Sequence, residues 1–268
     1  MVGTTRTFAS KTMYESIHKF TESLSSGTPD YFFQIANETC KSHPEIFQPQ
    51  NLQKAFDQFN NTKHLSWAEP SCDEAYIDKS ACCKRTDNPG HWISYMRKVS
   101  CYNSVKAYER EHGFEYDWYV FLRPDLYFFE PSQFHVSLLN PNRLYISSKE
   151  ASTKDSNQPL GDHIYLVSNN LIQHFITSLA HHNDHSCLEG KPPLYPPEVQ
   201  FEKQILSVPI AHQMLPFFYV IKRCDDWSDC FRLDNEVLHK TLLMAPNNTL
   251  VTPKEFCESV ILDKQFFQ

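Results

Sequence analysis

Two charged side chains, Arg123 and Asp125, flank Pro124 directly after an apolar run at residues 118–122. The run is rich in aromatic and β-branched residues, which predicts a strand buried on both faces, the usual state of a central parallel strand. Proline has no N–H to donate to a neighbouring strand, so we expect the strand to stop at Pro124. Because ligands of open α/β sheets bind at this end of the strands, the sequence predicts a binding site at Arg123 and Asp125.

A second cationic position, Arg6, follows the predicted opening strand and is flanked by threonines. A helix capped by Ser10 should come next, because apolar residues recur every three or four positions up to residue 24, and a strand is predicted at residues 31–36. The turn before such a helix offers free backbone N–H groups that suit an anion. Arg6 would add charge for a diphosphate; the alternative is that Arg6 pairs with a carboxylate and the threonines only shape the turn.

Further elements follow the same alternation of strand and helix. Residues 40–89 are predicted to be a polar surface excursion with one short helix near 52–59. A long helix should span residues 91–112, with Glu109 in its solvated end. Later elements are strands at 144–147 and 164–168, a helix near 171–180, a helix at 198–206, and an apolar run at 214–221 that Pro216 assigns to a sheet edge.

Composition limits the fold and the partners. The chain has 268 residues without a visible linker, which predicts one domain, and its 41% hydrophobic and 14% aromatic content suffices for a sizeable core. Only 6 glycines are present, which argues against glycine-rich phosphate loops. The net charge of −7 argues against nucleic acid as a partner, because phosphate binding needs a basic face.

The compartment is left open by the sequence. Nine cysteines and three N-x-S/T sequons, at Asn37, Asn60 and Asn247, favour a disulfide-bonded glycoprotein. No signal peptide is present, and no apolar run approaches the ~20 residues of a membrane span, which predicts a cytoplasmic chain as written. The opening strand begins at Met1, however, as expected if an upstream segment with a membrane anchor were missing; the location would then be the Golgi or ER lumen.

Several common catalytic motifs are missing from the sequence. Neither G-x-G-x-x-G nor G-x-x-x-x-G-K-[ST] occurs, which argues against a dinucleotide dehydrogenase and a P-loop enzyme. The G-x-S-x-G elbow of serine hydrolases and the H-E-x-x-H of zinc proteases are absent too.

Four segments together resemble a group of uncharacterised GT-A-type glycosyltransferases with WavE-like relatives. They are residues 3–8 (Gly-Thr-Thr-Arg-Thr-Phe), 108–118, 122–126 (Leu-Arg-Pro-Asp-Leu) and 161–165 (Gly-Asp-His-Ile-Tyr). In this order they are similar to the family's G-x-x-R-T-F, Y-D-x-x-[IV]-R-x-R-x-D and N-D or G-D segments over residues 1–210. One position departs from the pattern, because Phe121 replaces the first arginine of R-x-R-P-D and removes a second cationic contact from that strand.

The resemblance implies an α/β fold of GT-A-like (Rossmann-like) type, with a mostly parallel central sheet flanked by helices. The whole chain, 1–268, would form a single domain. Residues 1–130 would be its nucleotide-binding half, and residues 131–268 its acceptor half and C-terminal wrap. The implied activity is transfer of a sugar from a nucleotide-diphosphate donor to a glycan or another hydroxyl acceptor.

Sugar transfer leaves a diphosphate whose negative charge must be stabilised, usually in this class by a divalent cation on a strand-end aspartate. The resemblance therefore implies Asp125 as the carboxylate that contacts Mn²⁺ or Mg²⁺, or the sugar, and Arg123 as a partner of the phosphates or as the residue that holds Asp125 in place. If the reaction inverts the sugar, Asp162 or Glu198 is the candidate general base. Donor-binding residues in the opening turn would be Gly3, Thr4, Thr5 and Arg6.

Structural alternatives accompany these assignments. Asp125 and Arg123 would form an ion pair at a turn, Asp162 would simply begin a strand, and Glu198 would begin a helix and be stabilised by its dipole. The functional alternative is a non-catalytic glycan- or nucleotide-sugar-binding protein on the same fold. The histidine-rich residues 181–185 would suit a metal-dependent hydrolase, but a polar helix end is the preferred interpretation.

Overall fold

The computed structural model describes most of the first half of the chain and selected parts of the second. The described residues are 1–4, 7–36, 49–67, 89–129, 131–132, 134–147, 163–188, 210–215, 219–221, 243–244 and 250–251. They form an α/β domain with strands in a central layer and helices on both faces.

The first sheet is parallel and has three strands in the order β1-β2-β3. They are β1 (Val2–Thr4), β2 (Tyr31–Ala36) and β3 (Thr62–Ser66). Helix α1 (Lys11–Ser23) connects β1 to β2, and α2 (Pro49–Gln58) precedes β3. β1, α1 and β2 lie where the sequence predicted them. β3 was missed, because Leu65 is its one aliphatic residue and the strand lacks a buried face.

The second sheet is mixed and has four strands in the order β4-β7-β6-β8. They are β4 (Trp118–Leu122), β6 (Arg143–Ser147), β7 (Ile164–Ser168) and β8 (Ala211–Leu215). A separate antiparallel ribbon pairs β5 (Leu126–Phe128) with β9 (Tyr219–Ile221), and β10 (Leu243–Met244) pairs with β11 (Leu250–Val251).

The prediction that residues 118–122 form a central parallel strand is wrong in its pairing. β4 runs antiparallel to β7, with Val120 opposite Leu166, and stands at the end of its sheet among the described strands. β7 is also antiparallel to β6, so the four-stranded sheet is mixed rather than mostly parallel. An apolar run indicates only that both faces of a strand are covered. An antiparallel strand that lies between two helical layers is covered in the same way.

Two hydrophobic cores cover the two faces of the strands. Along β7, Tyr165 and Val167 belong to the core with helix α3 (Pro89–His112), whereas Ile164 and Leu166 belong to the core with α1. Each core also contains residues of the three-stranded sheet, which joins both sheets into one domain. The second helix on the α3 side is α4 (Asn169–Leu188), which extends beyond the predicted 171–180.

Glu109 is buried, in contrast to the solvated helix end that the sequence suggested. Its exposed fraction is 2%, and its Oε1 accepts hydrogen bonds from the Tyr116 N–H (2.9 Å) and the Tyr119 O–H (2.6 Å). Its Oε2 forms an ion pair with Lys106. Gly113, with φ of 71°, ends α3 by donating its N–H to the Glu109 carbonyl at 2.8 Å, which turns the chain back toward β4. Glu109 thus fixes the entrance of β4 to the end of α3.

Among the helices of the described part of the chain, none combines the length and apolar character needed to cross a bilayer. Cys101 is the cysteine whose side chain is described, and it is a buried free thiol. The disulfides predicted for the other cysteines lie outside the described side chains.

We expect Glu109→Gln to lower the free energy of unfolding at pH 7 by about 2 kcal/mol, because it removes a charge that receives several hydrogen bonds. Burial raises the pKa of Glu109, but the bonds from Lys106, Tyr116 and Tyr119 outweigh burial and leave the pKa below its ordinary value. The ionised carboxylate therefore stabilises the folded chain above the unfolded pKa of about 4.3, and this contribution is lost as pH falls through the lower folded pKa. Urea unfolding from pH 7 to pH 3 measures the effect.

Glu111→Gln is the matched control, since Glu111 is exposed two residues further along the same helix. We expect this variant to unfold like wild type at every pH. A Glu109→Gln variant whose stability follows the wild-type pH profile would contradict the role assigned to Glu109.

Candidate functional site

The candidate site lies where β1 and β4 end side by side. A methyl group added at Gly3 would lie 2.6 Å from Cδ and 3.1 Å from Cγ of the buried Pro124. The end of the opening strand therefore touches the turn that carries Arg123 and Asp125. Within the four-stranded sheet β7 runs opposite to β4, β6 and β8, and the three strands of the other sheet are parallel to one another. The other six strands end together at what we call the Arg123 edge, defined by Thr4, residues 123–125 and Ser147.

Arg123 and Asp125 form a two-pronged ion pair across Pro124. The Arg123 Nε donates to Oδ1 of Asp125 at 2.9 Å, and its Nη2 donates to Oδ2 at 2.6 Å. The Asp125 side chain is 4% exposed and that of Arg123 is 20% exposed. A bidentate pair of this kind fixes both side chains and neutralises the buried carboxylate. This geometry agrees with the structural alternative for the pair, and a role in ligand binding stays a prediction.

Two further polar residues at the Arg123 edge were not predicted as site residues. His163 immediately precedes β7, one register position beyond the pair Leu122 and Ile164, and is therefore next to Arg123. It is 7% exposed, and its Nδ1 is 2.9 Å from the hydroxyl of Tyr219 in β9. This contact joins the β5–β9 ribbon to the sheet edge. His163 belongs to the polar stretch that precedes the predicted strand at 164–168. Only Asp162 of that stretch was predicted as a site residue.

Ser147 ends β6 at the same edge and is fully buried. Within the described part of the chain its Oγ has no hydrogen-bond partner. A buried hydroxyl without a partner is costly to the folded state.

The structure brings together only part of the predicted site. Gly3, Arg123 and Asp125 lie at the Arg123 edge, and the backbone of Thr4 ends β1 there. Among the predicted residues, Thr5, Arg6, Asp162 and Glu198 lie outside the described residues. The residues next to two of them, Thr4 before Thr5 and His163 after Asp162, lie at this edge. Residues 181–185 lie in helix α4, and their side chains are not among those that the structure describes.

The divalent cation implied by the resemblance does not fit the described residues by themselves. Both oxygens of Asp125 accept from Arg123, and the carboxylate is almost fully shielded from solvent. In the part of the chain that the structure describes, no group of three or more His, Cys, Asp or Glu side chains is placed to hold a metal. We therefore derive no chemical step from a metal at this edge.

A cavity of about 820 Å³ runs along β4 as far as Leu122 and reaches the start of β2. Its lining includes seven consecutive residues, 116–122, together with Met1, Tyr31 and Phe32. Neither Arg123 nor Asp125 lines it. This cavity is thus not the pocket that the sequence predicted beside the R-P-D turn.

Comparisons with known proteins find no matching family model, no matching curated protein and no matching solved structure. The structure by itself shows an α/β domain with an Arg123–Asp125 ion pair directly after a strand.

We expect Gly3→Ala to destabilise the fold by about 1–3 kcal/mol, the usual cost of overpacking a tight interior contact. The added methyl group would meet the ring of Pro124, which is tied to the backbone and cannot rotate away. The measurement is the free energy of unfolding in urea.

Gly27→Ala is the control, because a methyl group there would meet only the Ser25 Oγ at 3.9 Å. It should leave stability unchanged or slightly raised. Equal stability of the two variants would show that β1 does not approach the R-P-D turn as closely as described.

Proposed function

We propose that this chain is a GT-A-like glycosyltransferase that moves a sugar from a nucleotide-diphosphate donor to a glycan or another hydroxyl acceptor. The observation that carries the proposal is the contact between Gly3 and Pro124. It joins the end of the opening strand to the Arg123–Asp125 turn, as a diphosphate site built from both segments requires. The α/β fold and the common edge of six strand ends support the same location for a ligand.

In this proposal Arg123 is the phosphate partner, because it is the more exposed member of the ion pair. Asp125 holds the guanidinium in a fixed orientation through both nitrogens. A fixed cation stabilises the charge that develops on the leaving diphosphate without having to reorganise during the reaction. The turn that begins at Thr4 would supply backbone N–H groups and Arg6 to the same diphosphate.

The direct test is release of nucleotide from UDP- and GDP-sugars in the presence and absence of Mn²⁺ or Mg²⁺. We expect wild type to release nucleotide, and Arg123→Gln to lower kcat/KM about 100-fold or more, as removal of one charge-stabilising donor does in other enzymes. Circular dichroism and urea unfolding would show whether the variants fold.

Two further variants separate function from structure. Asp57→Asn, on the exposed face of α2, changes a carboxylate to an amide away from the site and should be fully active. The double variant Arg123→Gln with Asp125→Asn replaces the ion pair by two neutral groups of similar size. If the double variant folds and releases nucleotide at the wild-type rate, the pair is only structural and the proposed site is wrong.

The general base is tested by Asp162→Asn and Glu198→Gln. The variant that removes the base of an inverting transfer should lower kcat about 10²–10⁴-fold. Binding of the nucleotide sugar should persist, because the base acts on the acceptor hydroxyl; calorimetric titration measures it. If both variants keep the wild-type kcat, neither residue is the base.

A non-catalytic nucleotide-sugar-binding protein is the second candidate, and the burial of Asp125 favours it. A carboxylate that is 4% exposed and bound through both oxygens to arginine is a poor open ligand for a catalytic cation. This candidate predicts that nucleotide sugars raise Tm but that no nucleotide is released. The rise in Tm should be lost in Arg123→Gln.

A further inference from the structure

Helix α3 carries two adjacent buried cations, Arg97 and Lys98. Their exposed fractions are 8% and 3%, and side chains of these types are rarely buried to this extent. The Lys98 ammonium lies 5.0 Å from the centre of the Tyr95 ring and 5.8 Å from that of Tyr165. Its Nζ also donates to the Ser94 Oγ at 3.3 Å. The two rings and the hydroxyl thus hold this cation in a fixed position.

The contacts of Lys98 place its ammonium at the level of the Arg123 edge. Tyr165 lies opposite Phe121 of β4, which is two residues before Arg123. Helix α3 runs opposite to β4, because the chain reverses between them. Ser94, to which the ammonium donates, is therefore about 6 Å closer to the edge than the Lys98 backbone. Two residues of strand cover about the same length, which brings the ammonium level with Arg123.

Arg97 belongs to the part of α3 that faces the three-stranded sheet. It shares one stripe of the helix with Ser100, three residues further along. The Ser100 Oγ donates to the Gln34 Oε1 at 3.4 Å, so this stripe faces β2. Arg97 is nearly one turn closer to the edge, where β2 ends at Ala36 opposite Thr4. The two cations of α3 are thus placed beside the ends of different sheets, one near β1 and β2 and one near β4 and β7.

We propose that Arg97 and Lys98 assist Arg123 in binding a diphosphate group at this edge, so that the diphosphate binds without a divalent cation. The proposal rests on the diphosphate ligand of the proposed function. Arg123 contacts the phosphates, whereas Arg97 and Lys98 act through the protein interior, where charges are screened less than in water. Cations held in place by packing need no reorganisation when the anion arrives. Asp125 is left to orient Arg123, as its two hydrogen bonds require.

The test is calorimetric titration of the full chain with inorganic pyrophosphate in buffer that contains EDTA. This probe has no base or sugar, so it reports on the anion site alone. Wild type should bind it, and Lys98→Met should raise Kd about 10-fold or more by removing one nearby charge. Lys98→Arg keeps the charge and should bind nearly as tightly as wild type. A role in packing alone gives the reverse order, because methionine is the smaller, apolar replacement. Lys19→Met, on the exposed face of α1, is the matched control and should bind like wild type.

Arg97→Met and Arg97→Lys form a second pair, which decides the matter if a Lys98 variant does not fold by circular dichroism and urea unfolding. Arg97→Met should weaken binding, and Arg97→Lys should restore it without overfilling the site.

If wild type binds pyrophosphate only after Mn²⁺ or Mg²⁺ is added, or if both neutral variants bind like wild type, the proposal is overturned. Release of nucleotide from a nucleotide sugar in that case would leave the proposed function intact. Metal-free binding that depends on Lys98, without release from any UDP- or GDP-sugar, would support the anion site and overturn sugar transfer instead.

Discussion

The close approach of Gly3 to Pro124 is the constraint on which the arrangement of the candidate site depends. Only a residue without Cβ allows the end of β1 to lie against the proline ring, since a methyl group would come within 2.6 Å of Cδ. Through this contact two separately hydrogen-bonded sheets end at one edge. The charged turn at residues 123–125 then lies beside the opening strand, although the two are more than a hundred residues apart in sequence.

Strand β4 is held at both ends by buried carboxylates. At its start, Glu109 accepts from the backbone N–H of Tyr116 and the hydroxyl of Tyr119, which attaches the strand to α3. At its end, Asp125 accepts from two nitrogens of Arg123. Buried charges are tolerated when paired and hydrogen-bonded, and they restrict the backbone that carries them. The position of the Arg123 guanidinium therefore depends on the contacts at both ends of β4 and not only on the turn that follows it.

The sequence predicted those elements whose burial follows a simple period, and it missed features that depend on pairing between distant segments. The apolar runs at 31–36 and 164–168 gave β2 and β7 with correct bounds, because both faces of these strands are covered. The same signal could not distinguish parallel from antiparallel neighbours, so β4 received the wrong pairing. Glu109 was assigned to solvent because its partners Tyr116 and Tyr119 come close only when the chain turns back after Gly113. The contact between Arg123 and Asp125 was foreseen as one of two alternatives, since residues flanking a proline turn are near each other in any fold.

The unequal exposure of Arg123 and Asp125 determines in which order they can meet a ligand. An anion that approaches the Arg123 edge reaches the guanidinium first, because 20% of that side chain is accessible against 4% of the carboxylate. Arginine has five N–H donors in a planar fork, a geometry that suits phosphate as well as carboxylate groups. A cation approaching the same edge meets the arginine first and is repelled by it. The geometry therefore favours an anion-binding role for the pair, with Asp125 as the residue that orients Arg123, over the metal-ligand role that the resemblance implies for Asp125.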